Sequence, residues 1–251
     1  MIRNVRIVIN DFKAILDLKK LLSIIVVFIL VFIMKKDFLI NIVSLDEVFK
    51  SMLGGPYRVT ENTLETLVWS FYMFYLIYLS GNFFYTELTR RSLYSISRIG
   101  NKKTWYLCIQ GSLFLLCIAY YLIGGILITI CSFIFKNSLI VYSILDILNI
   151  IFILSVSSYF MINVYLIILL IDKSHNRGFL FLVILDYISI DIGGIFNIDK
   201  FMPLNQGMII KHNLEKFSCL WSYMLLIPLI VVCIILINYV INKKDLLAII
   251  D

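Results

Sequence analysis

Long apolar runs alternate along the chain with short charged segments. Six runs approach or exceed the about 20 residues that a helix needs to cross a bilayer. They cover 18–34, 64–85, 104–135, 144–171, 178–198 and 218–241, the fifth fading towards its end. Each predicts a helix, because a lone strand in lipid leaves its backbone groups unsatisfied. The fold class that follows is all-α and integral to a membrane, one transmembrane domain over 1–251.

Two amphipathic segments sit outside this rhythm. At residues 1–17, Val5, Val8, Ile9, Phe12, Ile15 and Leu16 recur at helical spacing, with Arg3, Asn4, Arg6, Asn10, Asp11, Lys13 and Asp17 opposite. That pattern predicts a helix lying in the membrane interface. It is either a surface anchor for the first span or an elbow beside a docking site. The loop YTELTRRSLYSISRIGNKKTW, residues 85–105, predicts a short helix over 87–96 with Leu88, Leu93 and Ile96 as apolar contacts. Gly100 and Asn101 break it before Lys102, Lys103 and Trp105 open the next span. The loop either only enforces topology or receives a cytosolic partner over 86–98.

Composition narrows the class further. The chain is 61% hydrophobic and 15% charged, with a mean hydropathy of +0.98, more apolar surface than a soluble domain of this length can hide. Of its 22 Lys and Arg, 14 fall on one side of the runs if both termini are placed inside. The positive-inside rule then puts both termini in the cytoplasm. The net charge of +6 is a juxtamembrane excess and points to no nucleic acid. The five cysteines, Cys108, Cys117, Cys131, Cys219 and Cys233, fall in or at the ends of spans. Without CxxC or Cys/His spacing they read as small packing residues. No cleavable signal is expected, since the first apolar run lacks a small-residue cleavage site.

With these elements, the chain resembles the membrane (permease) subunit of a type-2 ABC exporter. The likeness spans all six runs. It rests on the elbow at 5–16, the coupling-helix candidate at 87–96 and the long third span entered through Lys102, Lys103 and Trp105. The stretch IDIGGIFNIDKFMPLNQGMII, residues 190–210, opening the outer region 191–217, completes it. In that family this region forms short re-entrant helices near the outer face, and Gly193, Gly194 and Pro203 supply suitable breaks. The resemblance implies a translocation path shared with a second permease subunit, identical or homologous, and driven by a separate cytosolic ABC ATPase. ATP and Mg would be bound by that partner, because this chain has no GxxxxGK[ST] and needs no cofactor of its own. It also lacks HExxH and GxSxG, so it is not expected to be an enzyme. Its only histidines, His175 and His212, fall in predicted loops. The implied ATPase-coupling residues are Glu87, Arg90, Arg91 and Tyr94.

The spans hold the candidates for cargo. Tyr72 and Tyr75 share a face of the second span, with Glu61, Glu65 and Trp69 near them. Tyr75 and Tyr78 fall near mid-membrane, where a hydroxyl needs a partner. These tyrosines are either a lipid-facing aromatic belt or the wall of a substrate path. Ser155, Ser157, Ser158 and Asn163 read as helix–helix glue. Asp186, inside the fifth span, is either a structural acceptor or part of the path, since an ionisable group in lipid needs a partner. Asp191 lies nearer the outer break, within reach of water. A wall of tyrosines and hydroxyls suits an amphipathic peptide, a toxin or bacteriocin, exported across a bacterial cytoplasmic membrane. The abundance of Ile, Lys and Asn points to an AT-rich bacterium. Drugs and lipid-linked glycans are the competing cargoes. A substrate-capture module outside the ABC class is the competing role.

Overall fold

Asp17 starts the second helix two residues after the first ends. In a computed structural model of the protein, which describes residues 2–40, 42–92, 96, 99–136 and 139–243, α1 covers Ile2–Ile15 and α2 covers Leu18–Lys35. Asp17 is extended, and its carboxylate accepts the Lys20 N–H at 2.8 Å. This is the cap a helix start requires. Ser44 does the same for α3, Leu45–Leu53, by accepting from Glu47 N at 3.3 Å. The long helix α4, Thr63–Thr86, continues into a π-helical turn, Glu87–Arg91. Asn101 caps α5, Lys102–Phe135, and Ser143 caps α6, Ile144–Asp172. Lys173 leaves α6 in the left-handed region, and α7 covers His175–Phe196. Two 3-10 turns follow, Asp199–Phe201 and Pro203–Gly207. They lead to α8, Ile209–Glu215, and then to α9, Cys219–Lys243, which carries Pro228 on its exposed side.

Among the described residues the fold is helical without a strand, apart from an isolated bridge between Ser44 and Ile140. Five helices, α4, α5, α6, α7 and α9, are long and apolar enough to cross a membrane. The multi-pass membrane class read from the sequence is therefore present, with span limits shifted by at most three residues. The first expected span, α2, is the exception: its 18 residues include Lys19, Lys20 and Lys35.

The spans wrap one helix. In its most apolar stretch α6 is 83% buried, against 33% for α7 and 28% for α9, so α6 is the axis and the others present a face outward. Successive long helices reverse direction, which gathers the loops at two ends. At one end Leu45 N donates to Ile140 O at 2.9 Å and Ile140 N to Val43 O at 3.1 Å. Lys136 holds the carbonyls of Ile40 and Ile42. Here α3, the two 3-10 turns and α8 form a cap. The other end holds the junctions before α5 and α7. α1 packs along α5, with Val8 on Gly111 and the Cys108 thiol 4.0 Å from Asn4 O.

The expected breaks at Gly193 and Gly194 do not occur. α7 runs through both glycines and ends at Asn197, φ 52°. What Gly193 supplies is room: a methyl group there would overlap the Asp199 carboxylate. Pro203 does open a turn, as its fixed φ favours.

Candidate functional site

α4 meets the bundle with most of its circumference and shows one stripe outward. Thr63, Leu64, Leu67, Phe71, Tyr78, Asn82 and Tyr85 are exposed, and from Leu64 onward they follow three- or four-residue steps once half-buried Tyr75 is counted between Phe71 and Tyr78. α2 borders the stripe on one side, where Ser23 hydrogen-bonds the Tyr75 hydroxyl. α7 borders the other. There Tyr187 meets Ser70 at 2.8 Å, and Phe179 packs edge-on to Tyr78 with ring centroids 5.6 Å apart. Near the far end, Tyr78 and Tyr85 both lie against the His175 ring, at 4.9 and 6.1 Å, and His175 Nδ1 bonds the Tyr165 hydroxyl. The stripe is thus the floor of a groove with rings, hydroxyls and an amide along it.

The other spans differ in what they expose. Between their end turns α5 shows Leu107, Leu115, Leu122, Ile126 and Ile130, and α7 shows Leu180, Phe181, Ile184, Ile188 and Ile192. The middle of α9, from Met224 to Leu236, is exposed only through apolar side chains. Such faces match hydrocarbon.

The three candidate tyrosines do not form one wall. Tyr72 is 1% exposed. It donates to Leu53 O at 3.2 Å and packs against Trp69, Phe28 and Tyr121. Its neighbour at three residues, Tyr75, turns towards α2 instead, and only Tyr78 stands in the groove. The shared face expected for Tyr72 and Tyr75 is split because α3 and α5 take up Tyr72 as core.

Asp186 is fully buried, and neither carboxyl oxygen has a hydrogen-bond partner among the described residues. The same holds for the Trp69 indole nitrogen and the Ser157 hydroxyl. Trp69 lies beside Asp186, and its ring reaches Gly207, which also abuts Ser157. One turn along α7, Ile190 O accepts from Lys211 Nζ at 3.0 Å, and the same ammonium binds Asp199 Oδ1 at 2.7 Å with both side chains 0% exposed. Asn205 adds a 2.5 Å bond to that oxygen, and Glu215 takes the backbone N–H groups of Asp199 and Lys200. Burial pushes the Asp199 carboxyl up and the Lys211 amine down, and their mutual hydrogen bond opposes both shifts. His212 Nε2 donates to Gln206 O at 2.8 Å, and burial lowers the ring below the ordinary histidine value. Gln206 in turn accepts from Ser222 of α9 at 2.7 Å, so one polar network joins α7, the turns, α8 and α9.

A second buried cation sits across the cap. Lys35, 1% exposed at the end of α2, binds Glu65 of α4 and donates to Ser51 O at 2.6 Å. It therefore neutralises the carbonyl end of α3.

Of the coupling candidates, Glu87 is 4% exposed and engaged within the fold. Arg90 and Arg91 belong to the π-helical turn. Their side chains, and Tyr94 altogether, lie outside the described residues. Sequence reading missed Lys35, Asp199 and Lys211 as interior groups. For Lys211 a signal was present, since it follows the apolar run Met208, Ile209, Ile210. No family model matches the chain, and no curated protein and no solved structure is significantly similar to it.

Proposed function

We propose that the chain is the membrane subunit of an ATP-driven exporter, and that the α4 groove is its half of the translocation path. The observation that carries the reading is the contrast in exposed surface. Among the described residues, the groove floor offers hydroxyls, an amide and aromatic rings along a span, while α5, α7 and mid-α9 offer apolar faces suited to lipid. A path open to one side calls for a second subunit, the same or a homologue, to close it. In this reading α2 is a sixth span whose three lysines sit at its ends, and α1 is an interfacial elbow. The turns and α8 act as the re-entrant outer seal. Both termini lie in the cytoplasm of a bacterial cell. The motor is a separate cytosolic ABC ATPase carrying ATP and Mg. It docks at the π-helical turn through Arg90, Arg91 and Tyr94, with Glu87 fixing that turn from inside rather than touching the motor. The cargo that fits rings and hydroxyls at membrane depth is an amphipathic peptide. Asp186 lies behind the wall, not on it.

The test uses the tagged chain, purified from its native membrane. A stoichiometric ATPase should co-purify and be lost on Arg90→Glu with Arg91→Glu. Cysteines placed at Phe71 and Tyr78 should cross-link two membrane subunits, whereas one at Ile188 of α7 should not. Cross-linking that is equal at all three positions, or no associated ATPase, would reject the reading.

A further inference from the structure

We propose that Asp186 is a proton-binding site, and that its proton keeps Lys211 on Asp199 and so keeps the capped end latched to α7. The inference stands independently of the exporter reading, since it concerns the interior of one chain.

Three observations carry it. The first is a charge count. Two carboxyls, Asp186 and Asp199, share a dry interior with one ammonium, Lys211, and all three are 0% exposed. A buried carboxylate without a partner is strongly disfavoured, so the set requires one more positive charge. The second is connectivity. Lys211 gives its bonds to Asp199 and Ile190 O, while Asp186 has only the neutral Trp69 indole N–H beside it, outside ordinary hydrogen-bond geometry. The third is position. Ile190 is four residues from Asp186 on the same face of α7, and the ammonium bound to its carbonyl is close enough for the two charges to act on each other.

The charged groups that face Asp186 come from one direction. α8 presents Lys211, with Asp199 and Glu215 behind that ammonium. α4 presents Trp69, which is neutral. Asp191, on α7 itself, is turned away to the Val59 N–H at 2.9 Å.

The consequence is an exchange. When the Asp186 O–H bond breaks, the proton passes to water at the capped face and a carboxylate is left behind. Lys211 is the cation within reach to answer it, and in doing so it leaves Asp199 and Ile190 O. Asp199 then keeps Asn205 alone as a side-chain donor. The hold between the turns, α8 and α7 is thereby weakened. Rebinding of the proton reverses each step. The ligand is a proton, and the device is a proton-linked latch.

Infrared difference spectra of the full chain in nanodiscs, taken across alkaline titration, test this. A protonated buried carboxyl gives its own carbonyl band. That band should be lost as pH rises and be absent in Asp186→Asn. Hydrogen exchange of residues 199–215 should accelerate by roughly an order of magnitude over the same range, and stay slow in Asp186→Asn. With Lys211→Met the band should persist to higher pH, because the answering cation is gone. Replacing K+ by Na+ at fixed pH should leave it unchanged. The proposal is overturned if wild-type protein shows no such band, if the band follows the metal ion, or if Asp186→Asn keeps the alkaline loosening. The wild-type measurement decides even where a variant fails to fold.

Discussion

Gly124 of α5 lies directly against the ring of Phe28 on α2. A methyl group at 124 would overlap that ring, which also packs on Tyr120 at 5.0 Å between centroids. This is where α2 is fastened to the bundle. Gly124→Ala should overpack the contact and cost about 1–3 kcal/mol. Phe28→Leu in the same chain should recover part of the loss. Thermal unfolding in detergent reads both, and an unchanged midpoint for Gly124→Ala would contradict the contact.

Lys35 and Lys36 are adjacent in sequence and opposite in environment. Lys35 is buried on Glu65 and the end of α3, and Lys36 is exposed. Lys35→Met strands a carboxylate and two helix-end carbonyls, so a loss of roughly 3 kcal/mol is expected. Lys36→Met should change stability by less than about 0.5 kcal/mol. Equal effects would mean that both side chains are wet.

Acid should loosen the cap through His212. Its ring is held below the ordinary value by burial, whereas the unfolded chain titrates at about 6.5. Between those two values the unfolded state binds the extra proton, so stability is full above about pH 6.5 and falls as pH drops. The fall approaches about 1.4 kcal/mol per unit. His212→Gln should remove this acid slope at the expense of some stability at neutral pH. The direction is opposite to the alkaline loosening assigned to Asp186, so a single pH series of hydrogen exchange separates the two.

Tyr72 and Tyr78 should fail in different assays. Tyr72→Ala empties a site packed by Trp69, Phe28 and Tyr121 and should cost about 3–5 kcal/mol of stability. Tyr78→Ala removes a groove ring that is 45% exposed. It should leave unfolding nearly unchanged and reduce peptide-stimulated ATPase activity of the assembled complex modestly, each aromatic contact being worth about 0.5–1.5 kcal/mol. If Tyr72→Ala is stable and Tyr78→Ala is silent in transport, the groove assignment is wrong.

The spans were legible because lipid imposes one rule on all of them. α6 was expected at 144–171 and covers Ile144–Asp172, and α5 was expected from 104 and starts at Lys102. Hydropathy cannot report which side of a span faces protein. α4 carries Tyr72 inward and Tyr78 outward with the same letter at both positions, and only neighbouring helices decide between them. Charges misled in the other direction. Lys35, Asp199 and Lys211 read as loop residues because a lone charge signals water, yet each is buried against a partner distant in sequence. α3 went unread although Ser44 followed three residues later by Glu47 is a helix-start signal. Helix 87–96 was expected, and its first part is present as a π-helical turn.

The central place of α6 has a bearing on how the chain is made. Ser155, Ser158 and Tyr159 in its middle are matched within α6 and by helices that precede it, whereas Tyr165 is matched by His175 of α7. Ser158 meets Tyr121 at 2.6 Å and Met73, Tyr159 meets Gln110 at 2.6 Å, and Ser155 bonds within its own helix and towards Cys117 O. None of these needs α7 or α9. As the ribosome delivers α6 to the membrane, α4 and α5 are already there to take its serines, so the axis is satisfied during the seconds before the last spans emerge. Ser157, which waits for Gly207, is the part of that face left for the end of synthesis. Arrest of translation after α6 should therefore leave a stable intermediate of α2, α4, α5 and α6, to which the cap and the remaining helices are added as a shell.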